Sequence, residues 1–136
     1  MRKISKIVVH HSGNTDSVEG IKDLHVNKNG WDGIGYHFMI GREGAVFIGR
    51  ALDAVGAHAK GHNKESIGIC LLGNFDEEEP YEPQMDALVR LMSELMEDSH
   101  LGPDCIILHR ELNSDKSCPG TNITKEMILC KLQQPA

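Results

Sequence analysis

Apolar residues in this chain fall into two kinds of run. Lys6-Ile7-Val8-Val9-His10 and Ser66-Ile67-Gly68-Ile69-Cys70-Leu71-Leu72-Gly73 are nearly continuous and rich in β-branched side chains. That pattern predicts strands buried on both faces, the second of them central in its sheet. Gly35 to Ile40 and Ala45 to Arg50 read as two further strands, joined by a turn at Gly41-Arg42-Glu43-Gly44. Cys105 to His109 reads as a fifth. From Met85 to Met96 the apolar positions recur in helical steps, with Pro83 near the start. Ser17 predicts the cap of a helix over Val18 to Asn29 that Gly30 stops, and Thr124 to Leu132 predicts a short closing helix. Elements mixed in this order predict an α/β fold. The expectation is one domain over residues 1–136, with a central mixed sheet of about five strands flanked by helices.

Composition narrows the function. A net charge of -6 argues against a general grip on phosphate backbones, so no nucleic-acid partner is expected. The longest apolar runs are strand-sized, so no membrane span is expected. The N-terminus has the positive charge of a signal peptide without its long apolar region. The expectation is therefore synthesis in the cytoplasm, with any action outside depending on release. Four cysteines without a C-x-x-C pair, and without a secretion signal, make a disulfide framework a poor first reading. Eight histidines make a metal site worth seeking.

Two predicted strands end in histidine, His10 and His109. If those ends are neighbours, Cys118 can supply a third corner, and three ligands with one open position suit catalytic zinc. The other reading is two hydrogen-bonded or surface histidines. Lys116, two residues before Cys118, points the same way in an extended segment; it is a partner for a thiolate or simply a solvated lysine. Strand alternation puts Tyr36 on the face of Phe38 and Ile40, with His37 and Met39 on the other. The loop Gly56 to Asn63 is small and polar, which makes His58, Lys60 and Asn63 candidates for substrate contact. His37 joins them, with a supporting structural role as its other reading. His11 and His25 read as core or rim residues and Trp31 as a groove-rim or buried ring. Glu111 reads as an orienting or solvent-facing acid, and Glu77 to Glu79 as a solvated turn.

The stretches IVVHHS, GWDGIGYHFMIG, GAHAKGHNKESIGICLLG, EPQMDALVRLM and LHRELNSDKSCPG follow one another over roughly residues 4–120. In that order they resemble the type 2 N-acetylmuramoyl-L-alanine amidases, the family of peptidoglycan recognition proteins and T7-type phage lysozymes. The resemblance implies one zinc ion in a surface groove, with His10, His109 and Cys118 as ligands and Tyr36 and Lys116 as catalytic residues. It implies hydrolysis of the amide between N-acetylmuramic acid and L-alanine in peptidoglycan, by a monomeric phage or prophage endolysin. Two alternatives come with it. One is a module that binds peptidoglycan without cutting. The other is a cytosolic recycling amidase, in which an aspartate is expected at Cys118 and a glutamate near Cys70 or Leu72.

Overall fold

The apolar runs at Ile7 and Ile67 form adjacent parallel strands at the middle of a five-stranded sheet. The computed structural model describes residues 2–13 and 17–134. In chain order the elements are β1 (Lys6–His11), α1 (Val18–Lys22), β2 (Phe38–Ile40), β3 (Val46–Ile48), β4 (Ser66–Leu71), α2 (Glu82–Ser99), β5 (Ile106–Leu108), α3 (His109–Leu112) and α4 (Lys125–Leu132). The sheet order is β3-β2-β4-β1-β5. Only β2 and β3 are antiparallel; the other pairs are parallel, so the sheet is mixed. All six residues of β4 are buried, as its unbroken apolar sequence requires.

Each face of the sheet has its own cover. On one, Ile7, Val9, Phe38, Ile40 and Ile69 pack with Leu88 and Met92 of α2 and Ile128 of α4. Leu88, Met92 and Ile128 are wholly buried, and each contributes roughly 2 kcal/mol through lost apolar hydration. On the other face, Met39, Cys70 and Leu72 pack with Ile21 of α1. Among the described residues no helix is long and apolar enough to cross a membrane.

Several boundaries differ from those the sequence predicts. The ladder hydrogen bonds confine the third strand to Val46–Ile48, on the sheet edge. The predicted helix over Val18 to Asn29 is α-helical only to Lys22; from Asp23 to Lys28 it widens into a π-helix. The Asn29 N–H accordingly bonds the Leu24 carbonyl at 2.9 Å, five residues back. This widened turn buries His25, whose Nδ1 accepts the Gly35 N–H at 2.9 Å. The fifth strand stops at Leu108, and His109 opens α3. The cause is local: the Glu111 carboxylate accepts the Leu108 N–H at 3.0 Å and starts the helix there. The predicted alternation about Tyr36 also fails. The ladder begins only at Phe38, and Tyr36 packs with Met39 on the α1 face rather than with Phe38 and Ile40.

Gln84 joins α2 to the sheet. Completely buried, it donates through Nε2 to the carbonyls of Ile40 and Leu72, at 2.9 and 3.1 Å. Gln84→Ala leaves the Leu72 carbonyl without this donor and is expected to lower unfolding free energy by about 1–3 kcal/mol in urea titration.

Candidate metal centre and groove

His10 is delivered by the buried end of β1, His109 by the first turn of α3, and Cys118 by the loop that follows. Since β1 and β5 are neighbours, with Val9 opposite Leu108, the two imidazoles meet with ring centroids 4.5 Å apart. One ligand atom from each of His10, His109 and Cys118 lies within 4.8 Å of the others, a group able to hold a metal ion. Cys118 Sγ is 3.7 Å from His10 Nδ1, close to the ~3.6 Å that two ligands of a tetrahedral zinc would show.

The donor chemistry fits a cation. His109 Nδ1 is buried and has no hydrogen-bond partner among the described residues, which is costly for a polar atom unless something binds it. Burial and the neighbouring imidazoles hold His10 well below its usual pKa, and burial lowers His109 as well. Both therefore present neutral rings with lone pairs. Burial pushes the Cys118 thiol up to about 12. A thiolate there needs a positive ion beside it, which the backbone N–H of His11, 3.3 Å from Sγ, would assist.

The Cys118 loop is held by two side chains outside the ligand set. Arg110 donates to the carbonyls of Ser117, Gly120 and Ile123 at 3.3, 2.9 and 2.6 Å. Asp76 accepts from Ser117 Oγ at 2.7 Å and from the Thr121 N–H at 2.9 Å. These bonds hold the Asp76 carboxyl below its usual range. An exposed acid that braces a loop 41 positions away gives no signal in sequence.

Tyr36 stands between His10 and His25, with ring centroids 5.1 and 5.3 Å away. Its hydroxyl is held well above the usual pKa, first by burial, then by the neighbouring Cys70 and Cys118 sulfurs and a hydrogen bond to Cys70. It is a neutral proton donor at physiological pH. Lys116 is exposed and lines a groove of about 590 Å³ that opens beside His109. Trp31, His58, Lys60 and Asn63 also line it.

The residues predicted to contact substrate separate on inspection. Lys60 is exposed on the groove wall. Asn63 turns its Oδ1 inward, accepting the N–H groups of His58 and Ala59 at 3.0 and 2.9 Å. His58 has both ring nitrogens engaged, with His10 and Ser66. His37 does not reach the groove. It is fully buried, its Nδ1 accepts the Gly68 N–H and its Nε2 meets the Ala54 carbonyl, so the structural role is the one it fills. Glu111 caps α3 and pairs with Lys125 at 2.6 Å, among its bonds to described residues, instead of orienting a ligand ring.

The chain thus combines a mixed sheet with a two-histidine, one-cysteine group able to hold a metal ion, and His109 of that group lines the groove. A family model described as N-acetylmuramoyl-L-alanine amidase (Amidase_2) matches residues 1–121, and the chain belongs to that family. Peptidoglycan-recognition protein SC2 of Drosophila melanogaster is 36% identical over 134 residues, covering 91% of this chain and 72% of the relative. The endolysin of Klebsiella phage KP32 is 35% identical over 132 residues, covering 91% and 85%. Among solved structures, N-acetylmuramoyl-L-alanine amidase LysC from Clostridium intestinale URNW superposes with a TM-score of 0.89 at 36% identity, over 96% of this chain and 86% of that one. The fold is thus that of the recognition-protein and phage-endolysin amidases.

Proposed function

We infer that the protein is a zinc-dependent amidase that cuts peptidoglycan between N-acetylmuramic acid and L-alanine, acting as a phage or prophage endolysin. The observation that carries this reading is the convergence of His10, His109 and Cys118 beside a protonated Tyr36, with His109 on the wall of the groove. Three ligands rather than four leave room for substrate, which separates a catalytic from a structural site. Residues 1–136 would work as one monomeric domain, reaching the wall after release from the cell that makes it.

Zinc, when bound, supplies a Lewis acid and activates water at neutral pH. The chain's residues do the rest. His10 and His109, kept neutral by burial, offer lone pairs, and Cys118 brings one negative charge that limits the net charge of the centre. The Tyr36 hydroxyl donates a hydrogen bond to the carbonyl oxygen as it gains negative charge. Lys116, at the groove edge, adds a positive charge near the leaving nitrogen and can hand it a proton. Lys60 and Lys116 give the groove two ammonium groups, suited to the carboxylates of a stem peptide.

Two other readings are distinguishable. A binding-only module is favoured by the recognition-protein relative, but the ligand set here retains its cysteine. In a recycling amidase an acid is expected on β4, where Cys70 is wholly buried and its thiol is held protonated by burial. Purified protein incubated with sacculi and zinc should release new L-alanine amino termini, and EDTA should stop it. Wall binding that survives EDTA with no amine release would support the binding module. Faster turnover on soluble anhydro-muropeptides than on sacculi would support the recycling enzyme. Because Lys116 is exposed, water screens its charge. Lys116→Ala should lower kcat on the order of 10-fold, equivalent to about 1.4 kcal/mol, while metal analysis still finds one zinc.

A further inference from the structure

Beyond the ligands, a chain of hydrogen bonds runs from His10 away from the metal position. His10 Nε2 lies 2.9 Å from His58 Nδ1, His58 Nε2 lies 3.2 Å from Ser66 Oγ, and Ser66 Oγ lies 2.7 Å from the His62 carbonyl. The proton positions along it follow from its last member. A carbonyl cannot donate, so the Ser66 hydroxyl proton must lie on the bond to His62; two oxygens at 2.7 Å without a proton between them repel. Ser66 Oγ then accepts from His58, which places a proton on His58 Nε2. A neutral His58 therefore has a bare Nδ1, and the only proton available for the 2.9 Å contact is one on His10 Nε2. His10 is left with its Nδ1 lone pair free, and Nδ1 is the atom that faces Cys118 Sγ at 3.7 Å.

The place for His58 is shaped for it. A Cβ on Gly68 would sit 2.6 Å from the His58 ring, and one on Gly56 would sit 2.7 Å from it. Real side chains do not approach so closely, so both glycines form the slot that holds the imidazole edge-on to His10, with rings 5.0 Å apart at 90°. Asn63 fixes the backbone of the same loop from the other side, through the N–H groups of His58 and Ala59.

The geometry points to His58 as a positioning residue that holds His10 in its Nε2–H form and aims Nδ1 at the metal, backed by Ser66 and the His62 carbonyl. This rests on the metal-site reading of His10. An imidazole that orients a metal-ligating imidazole takes the place a carboxylate or carbonyl more often fills, and it adds no negative charge to a centre that already has the Cys118 thiolate. The role differs from substrate contact, since neither ring nitrogen of His58 is left for a ligand.

Long-range proton–nitrogen correlation on the metal-free wild type reads the tautomers directly and needs no substitution. The expected result is His10 and His58 both protonated at Nε2; His10 protonated at Nδ1 overturns the inference. Chelator competition then gives zinc dissociation constants. His58→Leu, which fills the slot without an acceptor, should raise the constant about 10- to 100-fold. His58→Asn, whose Oδ1 falls near the position of Nδ1, should recover most of that loss, as mere packing would not. Equal zinc affinity in wild type and His58→Leu also overturns it. Wild-type protein that binds no zinc sinks the metal reading instead, and the tautomer spectrum still decides whether His58 orients His10.

Discussion

Cys118→Ala is expected to bind no zinc and to release no L-alanine termini from sacculi, yet to melt within a few degrees of the wild type. The loss follows from the donor set. Without the thiolate, two neutral imidazoles must hold a divalent ion alone, with no negative charge beside it. Losing a group that merely orients a ligand lowers affinity or activity about 10- to 100-fold, so losing the ligand itself should exceed that. The survival of the fold follows from position. Cys118 is only half-buried and lies outside both apolar clusters. Its loop stays pinned through Arg110 to Ser117, Gly120 and Ile123, and through Asp76 to Ser117 and Thr121. Metal analysis, the amine-release assay and a thermal melt on one preparation check all three expectations. A variant with full zinc and full rate would remove Cys118 from the centre.

Tyr36→Phe should lower kcat on the order of 100-fold while leaving zinc content unchanged. One oxygen is removed, and the ring keeps its packing against His10, His25 and Met39. Loss of a single donor to a developing oxyanion typically has an effect of this size. The hydroxyl serves as a donor because burial and the nearby sulfurs keep it protonated. KM should change little, since the interaction strengthens only as the carbonyl oxygen gains charge. An undiminished kcat would transfer the donor role to Lys116, and the double variant would show whether the two overlap.

The strands were legible because β-branched runs such as Ile7-Val8-Val9 have few alternatives to a buried sheet, and the heptad-like spacing of Met85 to Met96 has few alternatives to a core helix. Their ends were less so. That His109 begins a helix depends on a carboxylate, Glu111, reaching back to the Leu108 N–H, a choice that strand propensity does not register. Tyr36 was legible as a residue but not as a direction, because alternation holds only inside a ladder and the ladder starts two residues later. The three candidate ligands could be named from strand ends and resemblance. Their supports could not: Ser66 looks like any polar residue before a strand, and Asp76 looks like one more acid in an acidic turn. The inward turn of His58 is decided by Gly56 and Gly68, whose missing side chains matter only once the loop and β4 lie against each other.

The parallel pairing of β1 with β5 has a consequence for how this protein reaches its native state. Residues 10 and 118 approach only after a closure spanning 108 positions has been made, and β1 must already lie between β4 and β5 for that to occur. Such long-range pairing is entropically slow, and an ion has nothing organised to bind before it is complete. Zinc should therefore act by mass action on a finished frame, retarding unfolding while leaving the refolding rate the same with or without chelator.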